Sequence, residues 1–78
     1  MALQVQLVAA DRSVWSGEAS TVIARTVDGD LGVLPGHEPL FAELASGVVL
    51  VRTTDGQQVA AAVHGGFISV ENDTVSLL

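Results

Sequence analysis

The sequence contains no cysteine, and this absence limits how so small a chain can be stabilised. Its 78 residues predict one domain, and a domain of this size buries only about 60% of the surface that its unfolded chain exposes. Disulfides and thiolate metal sites, which support many small domains, are excluded. Stability must therefore come from close packing or from a partner surface.

Basic residues are scarce, since there is no lysine and the only arginines are Arg12, Arg25 and Arg52. With a net charge of −6, three scattered cations argue against binding to nucleic acid and against docking on anionic lipid. Charged residues make up 15% of the chain and hydrophobic residues 49%. We therefore expect apolar surface to remain exposed for contact with a protein partner.

Long apolar runs are also missing, because the longest, such as residues 48–51 and 60–63, are far too short to span a bilayer. The N-terminus lacks the basic stretch and apolar core of a secretory signal. These absences predict a soluble, intracellular chain with no direct membrane insertion.

What the sequence does contain is apolar residues with a period of two, which is typical of strands. No window shows a capped helical stripe, and residues 40–45, which could form a strand or one helical turn, are interpreted as a strand. Nine segments with strand character are separated by Gly, Asp, Asn or Pro: residues 3–7, 14–17, 19–27, 31–34, 40–45, 48–53, 57–63, 67–71 and 74–78. The sequence predicts an all-β domain over residues 1–78, a flattened antiparallel β-sandwich or barrel of two sheets.

Turn chemistry supports this division. Residues 11–13, 46–47 and 72–73 predict turns, while Asp28 with Gly29 and Asp55 with Gly56 predict tight hairpins.

The segment over residues 35–39 is different, because prolines stand at both of its ends. Pro35 fixes φ, and Gly36 can supply the positive φ of a type II turn. Since proline cannot donate to a strand ladder, we predict an ordered external loop here.

Groups able to carry catalysis or bind metal are few. His37 and His64 lie in glycine-containing turns, where a hydrogen-bonding role is more common than catalysis. Ser69 lacks the glycine pattern of a nucleophile elbow. Asp28 and Asp30 lack the remaining ligands of a calcium loop. We predict no catalytic, cofactor or metal site.

Residues 29–40, GDLGVLPGHEPL, closely resemble the GELGILPGHxPL signature of the F-type ATP synthase ε subunit family, called δ in mitochondria. Two more stretches agree in order and spacing. Residues 3–17, ending in DRSVWSG, resemble the opening strands of the family, and residues 63–70, VHGGFISV, resemble its GGFLEV segment. The resemblance covers nearly the whole chain and implies the N-terminal β-sandwich domain of that family, with about ten short strands.

The resemblance implies a non-catalytic subunit of the central stalk that binds the γ subunit and the polar loops of the c-ring, without a cofactor. Such a subunit couples proton translocation to ATP synthesis, and lies peripherally at the cytoplasmic face of the bacterial plasma membrane. By match to the signature, Asp30 occupies the acidic position that meets basic residues of the ring. The implied ring-facing loop consists of Asp30, Leu31, Gly32, Val33, Leu34, Pro35, Gly36, His37, Glu38 and Pro39.

The chain departs from the family pattern in several places. Asp30 is one methylene shorter than the usual Glu, and Glu38 and Glu43 add acidic charge. His64 stands where a small residue is usual, and we assign it no role. The family continues into a C-terminal helical hairpin that inhibits ATP hydrolysis; since this chain stops at Leu78, we expect it to lack that function.

An alternative interpretation is an unrelated small β-sandwich module that binds a ligand or peptide. Such sites are commonly lined by aromatic side chains. The aromatic residues here are Trp15, Phe41 and Phe67, which are far apart in sequence. Trp15 is expected to pack in the core, with an interface anchor as the alternative.

Overall fold

The computed structural model describes residues 2–9 and 12–78; for residues 9, 12 and 13 it describes the backbone alone. These residues form no helix, and so none that could cross a membrane. The all-β prediction is confirmed. Eight strands are present in this part of the chain: β1 (Leu3–Ala9), β2 (Arg12–Thr26), β3 (Gly29–Val33), β4 (Leu40–Leu44), β5 (Gly47–Thr53), β6 (Gln58–Val63), β7 (Gly66–Glu71) and β8 (Thr74–Leu77).

The expected count of nine or ten strands is wrong because residues 14–17 and 19–27 belong to one strand of 15 residues, β2. Gly17 does not end a strand there. A Cβ at Gly17 would come within 3.0 Å of the Trp15 ring, so this glycine makes room for the indole. Of the predicted turn at residues 11–13, Asp11 lies outside the described residues, whereas Arg12 and Ser13 already belong to β2.

The eight strands form one continuous sheet, because the long strand β2 is shared by the two layers of the sandwich and also pairs with β4 at Thr26 and Leu44. Its N-terminal half pairs with β1, and β8, β7 and β4 follow β1 in what we call the first layer. Its C-terminal half lies between β3 and β5, and β6 pairs with β5 to complete the second layer. All these pairs are antiparallel except β1 with β8, so the prediction of an antiparallel sandwich is wrong for this pair.

The core lies between the layers and consists of aliphatic side chains from both. Trp15 is half-buried and packs against it, as expected for a core residue. The buried apolar residues are Leu3, Val5, Leu7, Ala19, Val22, Ala24, Val33, Leu44, Val49, Val51, Ile68, Val70, Val75 and Leu77.

Candidate partner-binding loop

The ten residues of the implied ring-facing loop do not form a single loop. Residues 30–33 belong to β3, and residues 34–39 connect β3 to β4. Val33 is fully buried and Leu31 packs against the core, so these two side chains anchor the segment. The residues left exposed to a partner are Asp30, Gly32, Leu34, Gly36, Glu38 and Pro39.

A two-residue turn at Val27 and Asp28 sets the position of Asp30. The predicted hairpin is confirmed, but its turn lies one residue earlier than Asp28 and Gly29. The Thr26 hydroxyl donates to the Gly29 carbonyl at 2.8 Å and accepts from the Asp28 amide at 3.2 Å. The resulting register places Arg25 opposite Asp30.

Asp30 forms an ion pair with Arg25, whose Nε lies 3.3 Å from Asp30 Oδ1. The two side chains are 77% and 65% exposed, and an ion pair so exposed contributes at most about 1 kcal/mol. Asp30 can therefore exchange Arg25 for a cation on a partner at little cost. Sequence reasoning missed Arg25, although a turn placed at residues 27 and 28 would have identified it.

The connection to β4 begins with a tight turn at Pro35 and Gly36. The His37 amide donates to the Leu34 carbonyl at 3.1 Å, and Gly36 has a φ of 87°. The predicted positive φ of a type II turn at Gly36 is confirmed. His37 Nδ1 lies 2.7 Å from the Glu38 carbonyl oxygen, to which it can donate when that nitrogen carries the proton. His37 thus has the local hydrogen-bonding role that its turn context predicted.

A carboxylate from a distant part of the chain holds the apex of this turn. The Gly36 amide donates to Asp73 Oδ1 at 2.7 Å, across 37 positions of sequence. Asp73 lies with Asn72 in the turn between β7 and β8, where both have positive φ, 59° and 50°. Hydrogen bonds to an ionised acceptor are stronger than neutral ones. Asp73 therefore fixes the loop against the sandwich.

The exposed groups of this segment are of the kind that a protein surface can contact. Among residues 2–9 and 12–78, no three His, Asp or Glu side chains gather as they would around a metal ion. An open hollow of about 280 Å³ elsewhere in the sandwich is lined by aliphatic side chains and His64, with no Phe or Trp. By contrast, β3 and its connection to β4 present the exposed side chains of Asp30, Leu34 and Glu38, and the connection is braced by Asp73.

Comparison with known proteins agrees with this geometry. The family model for the ATP synthase delta/epsilon chain β-sandwich domain matches residues 2–78. The chain is 64% identical over 76 residues to the ATP synthase epsilon chain of Streptomyces griseus, covering 97% of this chain and 61% of that protein. It is 58% identical over 73 residues to the epsilon chain of Micrococcus luteus, covering 94% of this chain and 80% of that protein.

A solved structure of the Euglena gracilis mitochondrial ATP synthase, described as OSCP/F1/c-ring, contains a similar chain with a TM-score of 0.91 and 27% identity. The match covers 97% of this chain and 49% of that one. The chain thus spans about three fifths of the Streptomyces relative and half of the Euglena chain. The alternative of an unrelated binding module is wrong, because nearly every residue matches one family. The chain belongs to the family of the ATP synthase delta/epsilon chain β-sandwich domain.

Proposed function

We propose that this domain is a non-catalytic part of the central stalk of an F-type ATP synthase, binding the γ subunit and the polar loops of the c-ring. In that position it helps rotor and ring to turn together, coupling proton translocation to ATP synthesis without a cofactor. It acts peripherally, at the cytoplasmic face of the bacterial plasma membrane. The observation that carries the proposal is β3 itself, which bears the exposed carboxylate of Asp30 near its first residue and leads into the braced connection to β4 after its last.

The mechanical demands of such a contact fit the loop. A segment that transmits torque must not deform, and one that docks must lose little conformational entropy. Pro35 restricts the backbone, the Leu34–His37 hydrogen bond closes the turn, and Asp73 holds its apex. The loop is therefore largely ordered before a partner arrives.

Electrostatics then favours orientation more than affinity. Asp30 is exposed and pairs only weakly with Arg25, so a cation on the ring can replace that partner. An ion pair at the rim of an interface directs the approach of two surfaces and contributes modestly to the binding free energy.

The first test is complex formation. The chain is mixed with the γ subunit of its own organism and analysed by size exclusion with light scattering. A one-to-one complex supports the stalk assignment. Failure to associate, with both proteins folded, contradicts it.

The second test addresses the loop in the assembled enzyme. Membrane vesicles carrying the complex with Asp30→Arg plus His37→Ala are compared with wild type for ATP-driven proton pumping per ATP hydrolysed. We expect this ratio to fall several-fold, and Asp28→Arg, an equal charge change on the neighbouring turn, to leave it near the wild-type value. Unchanged assembly and coupling in the double variant would refute the role of the loop.

A further inference from the structure

Two aromatic side chains lie together on the outer surface of the first layer, which is unusual for a chain with so few aromatic residues. Phe41 on β4 is 68% exposed and Phe67 on β7 is 45% exposed. Their ring centroids are 5.3 Å apart with an interplanar angle of 16°, so the rings stack. The sequence separates them by 26 positions and gave no sign that they meet.

Phe67 is joined to Leu78 by two backbone hydrogen bonds, each of 2.9 Å. We call Phe41 and Phe67 the aromatic patch. Because large exposed apolar side chains that adjoin one another usually mark a contact with another protein, the patch needs an explanation beyond strand pairing.

Acidic side chains border the patch. Glu43 is exposed on β4, two residues after Phe41, and pairs in register with Phe67. Glu71, also exposed, lies at the far end of β7. The Ala45 amide, just after β4, donates to the Arg25 carbonyl at 2.9 Å, but the Arg25 side chain is paired with Asp30.

The second layer has a different character. Arg25 and Arg52 are both exposed there, and Arg25 pairs with Asp30. Its exposed large hydrophobic residue on a strand is Val48, an aliphatic side chain beside this mixed charge. Exposed aromatic rings bordered by carboxylates therefore lie on the first layer.

We propose that the aromatic patch is the surface on which the first layer docks a partner segment that presents apolar side chains flanked by Lys or Arg. This inference rests on the proposed function, under which the partner is the γ subunit. Interfaces commonly combine an aromatic centre with a polar rim, and a few central residues carry most of the binding energy. Glu43 and Glu71 then attract the basic flanks, while Phe41 and Phe67 are buried in the contact.

The test is the affinity of the chain for γ, measured by calorimetry, for Phe41→Ser plus Phe67→Ser. We expect Kd to rise roughly 30-fold or more, as for residues that dominate an interface. Val48→Ser, at a side chain on β5 that is 56% exposed, is the control and should change Kd by less than about 3-fold.

Two further measurements separate docking from a purely structural role of the stack. Circular dichroism and Trp15 fluorescence establish that each variant is folded, and Phe41→Leu plus Phe67→Leu should recover much of the lost affinity. Glu43→Lys plus Glu71→Lys should slow association about tenfold at low salt, because charge complementarity acts mainly on the association rate.

The outcomes distinguish this inference from the function on which it rests. If wild type binds γ and the folded double-serine variant binds equally well, the aromatic patch is not the docking surface, and the stalk assignment stands. If wild type does not bind γ at all, the proposed function fails, and the patch loses its partner with it.

Discussion

Single side chains determine how the loop is presented. Asp73 sits in a two-residue turn that requires positive φ, a conformation that Asn, Asp and Gly tolerate better than other residues. From there its carboxylate accepts the Gly36 amide. Arg25 and Asp30 are placed opposite each other by the hairpin register alone. Some residues that shape the candidate site, such as Asp73, are therefore not themselves expected to contact a partner.

Replacing Asp73 tests this bracing. Asp73→Gly keeps the turn conformation but removes the acceptor, so the Gly36 amide should exchange with solvent at least about tenfold faster, by loss of one charge-assisted hydrogen bond. Asp73→Asn keeps an oxygen acceptor and should retain most of the protection. Amide hydrogen exchange by NMR measures both variants. Equal protection of Gly36 in wild type and Asp73→Gly would contradict the role assigned to Asp73.

The carboxylate of Asp55, in the turn between β5 and β6, has a pKa that depends on hydrogen bonds within that turn. The pKa of Asp55 lies below its usual 3.8, chiefly because the Thr53 hydroxyl donates to it, with a smaller contribution from the Gln57 amide. Because the folded-state pKa is lowered, its stabilising contribution is present above the unfolded pKa of about 3.9 and is lost as pH falls through the folded value.

We expect Thr53→Val to return the pKa of Asp55 towards 3.8, as measured by NMR titration of the carboxyl carbon. Thr54→Val, one position along the same turn, is the control and should leave the titration unchanged. An Asp55 titration that is the same in Thr53→Val and wild type would show that this hydroxyl is not the cause.

The backbone conformation at the start of β7 strongly favours glycine. Gly65 and Gly66 have φ of 116° and 121°, which disfavours any other residue at either position. At Gly66, a Cβ would also lie 2.0 Å from the Leu78 carbonyl oxygen, whereas at Gly65 the nearest atom is 3.9 Å away. In the VHGGFISV stretch, Gly66 is thus explained by the close approach of Leu78 and by its positive φ, and Gly65 by its positive φ alone.

The two positions form a matched experiment. Gly66→Ala should lower the free energy of unfolding by at least about 2 kcal/mol, because it adds a clash with backbone to the strain of positive φ. Gly65→Ala bears a similar backbone strain without the clash and should cost clearly less. Urea unfolding followed by Trp15 fluorescence gives both values, and equal losses would show that Leu78 moves aside freely.

The strands that sequence reasoning found are those bounded by hairpins with strong turn residues. Asp55 with Gly56 and Asn72 with Asp73 were placed correctly because their turn chemistry is local. Gly17 was misread as a break, since the Trp15 ring that occupies its empty side is invisible without the fold. The bracing by Asp73 and the stacking of Phe41 on Phe67 join distant strands, and no period or motif could predict them.

On the scale of the whole molecule, the domain depends on a small aliphatic core. A chain of this length is typically stable by only about 4–12 kcal/mol. Leu77 is fully buried on β8, whereas its neighbour Leu78 is 65% exposed. Shortening one buried side chain of this core is therefore expected to remove a large part of the free energy of unfolding.

Leu77→Ala should reduce the free energy of unfolding by about 2–5 kcal/mol, the usual range for a buried leucine. Leu78→Ala, the same change one residue later, should alter it by no more than about 0.5 kcal/mol. Chemical denaturation of the two variants is a direct comparison. Similar midpoints for both would mean that β8 is not an integral part of the core.

The parallel pairing of β1 with β8 also has a consequence for biosynthesis. The first strand of this domain is bordered by its last one, and the Gln4 amide donates to the Asp73 carbonyl at 2.8 Å. Until β8 emerges, the free edges of β1 and β7 present unpaired amides and carbonyls to other nascent chains. We therefore expect the domain to complete its folding only after residue 78 has been translated. Until then, we expect cellular chaperones to keep the edges of β1 and β7 from pairing with other chains.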